Sequence, residues 1–288
     1  MKLGCSSWSY HRAFREGRLD QATWLRLCAD ELELDGVELL DIHFPSTERD
    51  YLREVKKTCT DLQLTISCVS VSNDFGVADG ERRRAEVNKV KEWTEIAAYF
   101  GAPVLRVFAG WVPRERQTAT NGGGLVEKVR RLLGRRSDPK RACWSEAMAC
   151  LRECADYAGE RGIVLGLENH NGYGIAGTAD EVERCLHDVG SPWLRLNLDT
   201  GDYGDLESIR RTLPYAVHVH AKLYELDGDG VERRLDWPKI MAILREGRYR
   251  GFLSIEYEGE EDPVAAVPRG ARYLRRLMVA GAVAPAIA

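Results

Sequence analysis

No long apolar run opens this 288-residue chain, which passes from Met1-Lys2-Leu3-Gly4-Cys5-Ser6-Ser7 straight into polar residues. Neither a signal peptide nor a membrane span is expected there, and the protein is read as cytoplasmic with no membrane partner. An excess of charge of one sign is also missing. With 41 Lys and Arg against 45 Asp and Glu, the net charge of −4 leaves no electrostatic footprint for nucleic acid, and a small-molecule partner is expected instead. The eight cysteines form no Cys-x-x-Cys pair. Cys150 and Cys154 share a helix face at i and i+4, where packing is the ordinary role of a free thiol. No Gly-x-Gly-x-x-Gly follows the first strand-like run, which speaks against a dinucleotide-binding open sheet. No His-Glu-x-x-His is present, which speaks against a zincin protease.

What the chain does have is rhythm. Hydrophobic residues make up 44% and charged residues 30%, the balance of a globular protein with a sizeable core. Short β-rich runs alternate with longer amphipathic ones, the pattern of a parallel sheet covered by helices. Eight strands are predicted: Lys2 to Ser7, Gly36 to Leu40, Gln63 to Ser70, Val104 to Phe108, Val164 to Glu168, Leu194 to Asp199, Ala216 to Ala221 and Gly251 to Glu256. Helices are predicted over Gln21 to Glu31, Ser46 to Thr58, Arg82 to Phe100, Ser145 to Arg161, Thr178 to Val189 and Trp237 to Glu246. Thr178-Ala179-Asp180-Glu181 has the form of a capping box, and Gly101, Gly162 and Gly190 follow helices where a left-handed residue is wanted. The expected fold is α/β, a (β/α)8 TIM barrel in a single domain over residues 1–288. Two segments stand outside the rhythm. Residues 110–141 insert a Gly-rich stretch with nine basic against three acidic side chains after the fourth strand, and residues 279–288 form an Ala-rich tail. The insertion reads as a lid, an anion site or a solvated helical face. The tail reads as frayed or as an intersubunit contact, with a homo-oligomer left open.

Four of the later strands end on a metal-ligand residue: Glu168, Asp199, His220 and Glu256. Successive members lie 31, 21 and 36 residues apart, about one strand-loop-helix-loop unit each, so all four are expected at the same end of the barrel. Three carboxylates and one imidazole suit one hard divalent ion, Mn²⁺ first with Mg²⁺, Co²⁺ or Zn²⁺ as alternatives. Such a set leaves about two of six coordination positions for a vicinal hydroxy-carbonyl pair, which points to a carbohydrate substrate. Around these ligands, substrate-binding candidates are His170 on the exit loop after Glu168, Arg106 in an otherwise apolar strand, Lys222 two residues beyond His220, Glu38 on the second strand, Asp202, and Trp8 and His11 after the first strand. Arg106 needs a carboxylate or a ligand if buried, so pairing with Glu168 is its other reading. Lys222 has pairing with Asp199 or Asp202 as its alternative, and Glu38 has pairing with an arginine inside the barrel. His218 is read as a barrel-layer neighbour of His220, Trp111 as a pocket or loop-packing residue, and His187 as having no role.

The segments Gly166-Leu167-Glu168-Asn169-His170, Asn197-Leu198-Asp199-Thr200-Gly201-Asp202, His218-Val219-His220-Ala221-Lys222 and Tyr249 to Tyr257 resemble the sugar phosphate isomerase/epimerase group of xylose isomerase-like barrels. The likeness extends through Val37-Glu38-Leu39, Ser70 to Phe75 and Leu105-Arg106-Val107. It implies that Glu168, Asp199, His220 and Glu256 hold the metal. It also implies that Glu168 and Glu256 are the catalytic proton pair of an isomerase or epimerase working through a metal-stabilised enediolate. A lyase or dehydratase acting on a keto-sugar, keto-glycoside or keto-inositol needs the same base and metal. Ketose 3-epimerases of the group carry a His three residues after the Asp ligand and an Arg six after the His ligand, whereas Asp202 and Leu226 stand there in this chain. A DNA-repair endonuclease on the same barrel is a remote third reading, because its three-metal cluster draws on many imidazoles and this chain has six histidines in all.

Overall fold

The structure is a computed structural model that describes residues 1–113 and 140–280. Eight parallel strands follow one another round a closed barrel: β1 Lys2–Ser6, β2 Gly36–Leu40, β3 Thr65–Ser70, β4 Val104–Val107, β5 Val164–Glu168, β6 Leu194–Asp199, β7 Ala216–Leu223 and β8 Phe252–Tyr257. Strand β8 closes the ring by pairing with β1. The longer helices are α1 Gln21–Arg26, α2 Arg49–Asp61, α3 Gly80–Phe100, α4 Arg141–Gly159, α5 Ala179–Val189, α6 Leu206–Thr212, α7 Trp237–Glu246 and α8 Pro263–Ala280. The chain thus forms the (β/α)8 barrel its alternating pattern predicts. Among the described residues no helix is long and apolar enough to cross a membrane.

Strand parity divides the barrel into two environments, because successive side chains point to opposite faces of a sheet. One parity set, including Leu3, Val37, Leu39, Leu105, Leu165, Leu167, Leu196, Leu198, Val219, Leu253 and Ile255, is buried in the continuous apolar core. The other set is polar and equally buried: Glu38, Ser70, Arg106, Glu168, Asn197, Asp199, His218, His220, Lys222, Ser254 and Glu256. The interior of the barrel is therefore a stack of hydrogen-bonding and charged groups, and stability comes from the outer apolar layer. At one point on the inner face of the strands a side chain is excluded outright. A Cβ on Gly36 would lie 2.4 Å from the Thr65 carbonyl oxygen and 2.8 Å from the Phe252 ring.

Local chemistry explains where the elements depart from the expected bounds. Strand β3 starts at Thr65 because Gln63 adopts a positive φ of 58°, which ends α2's exit turn rather than extending a strand. Strand β4 stops at Val107 because the Asn73 amide takes both backbone groups of Phe108, accepting from its N–H at 2.9 Å and donating to its carbonyl at 2.8 Å. The capping box at Thr178 forms as read, and Gly101 and Gly190 close α3 and α5 with φ of 76° and 66°. Helices α6 and α8 were not anticipated. The first is only seven residues long, nucleated by Asp205 accepting from Ser208 N–H, and its charged composition hides its apolar face. Most of the basic insertion, 114–139, and the tail beyond 280 lie outside the described residues, while Val279 and Ala280 still belong to α8.

Candidate functional site

The register of the strands brings the four strand-end ligands together. Glu168 pairs across to Asn197, Asp199 to His220, and Lys222 to Glu256, so these residues sit at one level at the C-terminal end of β5 to β8. One ligand atom from each of Glu168, Asp199, His220 and Glu256 lies within 4.8 Å of every other, and all four residues are buried. His220 Nδ1 is 3.3 Å from Glu168 Oε1 and 3.2 Å from Glu256 Oε2. Glu168 Oε2, Asp199 Oδ2 and His220 Nδ1 are buried without a well-directed hydrogen bond, although Arg106 Nε and Lys222 Nζ each stand 2.9 Å from one of the two carboxylate oxygens. Such groups are costly unless something else fills their valence. Three converging carboxylates and one imidazole are a donor set that fits a divalent cation.

Charge makes the same point. Four buried carboxylates, Glu38, Glu168, Asp199 and Glu256, face two buried permanent cations, Arg106 and Lys222. With His220 neutral, the cluster carries an excess of two negative charges, the charge of one divalent ion. Arg106 Nε lies 2.9 Å from Glu168 Oε2, and Lys222 Nζ lies 2.9 Å from Asp199 Oδ2 and 2.6 Å from Glu256 Oε2. Burial alone would lower the His220 pKa, yet Glu256, Glu38 and Glu168 together push it well above the usual histidine value. Burial works in the opposite sense on Glu256, but His220 and Lys222 overcome it and hold the carboxyl well below its usual range. Without metal, these carboxylates favour the protonated imidazole, which would offset one of the two excess negative charges.

Glu38 does not reach the substrate side. It is fully buried beneath the cluster, where Oε1 lies 2.9 Å from His220 Nε2, Oε2 lies 3.1 Å from His218 Nε2, and Ser70 Oγ donates to it at 2.5 Å. The expected arginine pairing for Glu38 is replaced by this pair of imidazoles. A carboxylate on Nε2 fixes the ring of His220 so that Nδ1 faces the cluster.

Above the ligands opens a cavity of about 500 Å³, lined by Glu168, Glu256, Arg106, Lys222, His170 and Asp202 together with Trp8, Phe108, Trp111 and Tyr224. His170 packs edge-on against Phe108 and Trp111 at centroid distances of 5.6 and 5.4 Å. Asp202 holds the exit loop of β5, accepting from the Asn171 backbone at 3.2 Å and from its amide at 3.0 Å. Burial, then Asp199, pushes its carboxyl up to about 6. Gly110 lets the loop after β4 close over this region: with φ 101°, a Cβ there would lie 2.3 Å from Gly76 N. Trp8 lines the cavity and donates from Nε1 to Glu258 at 2.9 Å. His11 is placed elsewhere. It stacks on Trp8 at 4.4 Å and lines a neighbouring cavity, because the short helix His11–Arg15 turns it away from the ligands. His187 is exposed on α5, far from these groups in the fold.

The family model described as a xylose isomerase-like TIM barrel matches residues 26–277. The chain belongs to the xylose isomerase-like TIM barrel family. The chain is 39% identical over 71 residues to the C-glycoside deglycosidase alpha subunit of Arthrobacter globiformis, a stretch covering 22% of this chain and 20% of that protein. It is 26% identical over 171 residues to the inosose dehydratase of Glaesserella parasuis, covering 46% of this chain and 55% of that protein. The chain therefore matches from a fifth to about half of the length of these curated relatives. A solved D-psicose 3-epimerase, determined in the presence of D-fructose, superposes with a TM-score of 0.71 at 17% identity, covering 98% of both chains, a likeness of fold.

Several residues around this cavity carry no motif that singles them out in the sequence. Glu258 stands 3.1 Å from Lys222 Nζ and receives Trp8 Nε1, so it ties the first loop to the last strand. Its position two residues after Glu256 was the available signal, since that spacing returns a side chain to the same strand face. Asn169 was noted only as a neighbour of Glu168. It locks β5 to β6 by donating to the Asp199 carbonyl at 3.0 Å and accepting from Asp199 N–H at 2.8 Å. Tyr224 and Arg234 line the cavity from the loop after β7, with the guanidinium 4.2 Å from the ring centre, and carried no motif.

Proposed function

We propose that this chain is a divalent-metal-dependent isomerase or epimerase of a sugar or sugar derivative, acting on a small carbohydrate in the cytoplasm. The observation that carries the reading is the placement of Glu168 and Glu256. They belong to non-adjacent strands, share one cluster with Asp199 and His220, and both line the cavity above it. A bound Mn²⁺, or alternatively Mg²⁺, Co²⁺ or Zn²⁺, would supply polarisation of a substrate carbonyl and its neighbouring hydroxyl. Glu168, Asp199, His220 and Glu256 would hold it. In this reading one glutamate removes the proton beside the carbonyl, and the other returns a proton on the opposite face or to the adjacent carbon. His220 and then Lys222 hold Glu256 in its anionic form, while Arg106 anchors Glu168 by its guanidinium, which also donates to the Val71 carbonyl at 3.1 Å. Lys222, Arg106 and His170 then offer donors to hydroxyl or carbonyl oxygens in the cavity.

A second reading has its own support. Asp202 serves as a tether for the Asn171 loop, and Leu226 packs partly buried against the core, so neither offers the imidazole and guanidinium contacts expected of a ketose 3-epimerase. The curated relatives carry the names deglycosidase and dehydratase. The same base can start an elimination, with proton loss beside the carbonyl followed by departure of a β-substituent. Incubation of Mn²⁺-loaded protein with ketoses, keto-inositols and 3-keto-glycosides in D₂O separates the two. Deuterium uptake with the carbon skeleton and substituents intact supports isomerisation. Release of water or an aglycone supports elimination, and the absence of both with every substrate refutes proton abstraction.

A further inference from the structure

Beside the cavity over the ligands lies a second one of about 870 Å³, framed by Trp8, Phe14, Ile42, His43, Phe44 and Tyr51. It is larger than the first and largely apolar and aromatic, which does not suit the hydroxyl-rich face of a sugar. Its rings are already ordered. Phe14 and His43 stack at 4.3 Å with an interplanar angle of 11°, and Trp8 and His11 stack at 4.4 Å with an angle of 15°. Burial, then His11, lowers the His43 pKa to about 4, so this ring is neutral at neutral pH, and Arg15 and Asp20 are the charged members of the lining.

Two further observations point to an occupant. Trp8 lines both cavities, so a molecule in one touches the side chain that borders the other. Gln21, 3% exposed, also lines the aromatic cavity. Its Oε1 accepts from the Tyr51 hydroxyl at 2.7 Å, while its Nε2 is buried without a partner. That amide holds the Tyr51 ring in place, and a wall built mainly of rings suits a planar aromatic group.

We infer that this second cavity is a binding subsite for an aromatic group attached to the carbohydrate, so that the substrate is a keto-sugar carrying an aryl substituent, such as an aryl keto-glycoside, and not a free sugar. The sugar part occupies the cavity over Glu168 and Glu256, and the aryl part passes Trp8 into the aromatic chamber. The inference rests on the proposed function only in taking the first cavity as the carbohydrate site.

Calorimetric titration with 4-nitrophenol, 4-nitrophenyl β-D-glucoside and methyl β-D-glucoside tests it, in the chelated and the Mn²⁺-loaded protein. Burial of one aromatic ring corresponds to between about tenfold and a hundredfold in affinity. The nitrophenyl glucoside is therefore expected to bind at least about tenfold more tightly than the methyl glucoside, and 4-nitrophenol is expected to bind with or without metal. Ile42 is 56% exposed, so Ile42→Asp places a charge in the lining without disturbing the core; it should remove the aryl preference, and Ile42→Leu should keep it. Equal affinity for the two glucosides together with no binding of 4-nitrophenol overturns the inference. So does an aryl preference that survives Ile42→Asp, or a wild-type dimer that Ile42→Asp dissociates, which would make this face a contact between copies. Failure of the proton-transfer reading appears separately, as absent deuterium uptake with aryl binding intact.

Discussion

The excess of two negative charges in the barrel makes the cluster respond unequally when one ion pair is broken from its two sides. Lys222 Nζ is 2.9 Å from Asp199 Oδ2, 2.6 Å from Glu256 Oε2 and 3.1 Å from Glu258 Oε1, and the residue is 4% exposed. Lys222→Met keeps the volume and removes the cation, leaving buried carboxylates uncompensated. Loss of one partner from a buried pair costs about 3–5 kcal/mol. At about 2–4 °C per kcal/mol for a chain of this size, the melting temperature in chelator should fall by roughly 6–20 °C. Asp199→Asn breaks the same contact but removes one of the excess charges. Its amide oxygen can still accept from Gly201 and Asp202 N–H, which Asp199 Oδ1 does at 2.8 and 3.1 Å, and Lys222 keeps two carboxylates. Asp199→Asn should therefore lose less than half as much. Thermal unfolding followed by circular dichroism in excess chelator measures both. If Lys222→Met melts at or above Asp199→Asn, the charge accounting behind the metal assignment is wrong.

Two other predictions concern chemistry and pH. Glu168→Gln and Glu256→Gln should each slow deuterium exchange into substrate by about 10² to 10⁴ while far-ultraviolet circular dichroism is unchanged; exchange within tenfold of wild type in either variant removes that glutamate from the proton pair. His43, held near 4 by burial and by His11, binds its proton in the unfolded chain near 6.5 but not in the folded one. Between those values the unfolded state carries more protons, so this residue's contribution to stability rises with pH from about 4 to 6.5 and is level above. Urea titrations of wild type and His43→Phe should show a stability difference that varies across that window; a constant difference from pH 4 to 7 contradicts the assignment.

The fold was legible because its signals are local. Strand parity, glycine at helix exits and the Thr178 capping box each act within a few residues, and the eight strands fall within about two residues of their expected bounds. Glu168, Asp199, His220 and Glu256 were legible as a set for a related reason: barrel topology places successive strand ends at one level, so residue type and spacing imply their convergence. What escaped notice depends on partners distant in sequence. Glu38 reads as a lone strand acid until the fold sets it against His218 and His220, some 180 residues away. His11 looks like a catalytic-face residue by position, but the turn of its short helix and the stack on Trp8 take it into the aromatic cavity. Glu258 offered only the two-residue spacing from Glu256, and the aromatic chamber drew on loops from two units that no linear motif connects.

The barrel is expected to hold one divalent ion on four strand-end residues. Elemental analysis and calorimetric titration with Mn²⁺, after chelation and dialysis, measure this directly for wild type and for the His220→Ala variant. The expected result is one ion per wild-type chain and no comparable binding when His220 is gone. A wild type that takes up no divalent ion, or a His220→Ala variant that binds one with unchanged affinity, would contradict the assignment.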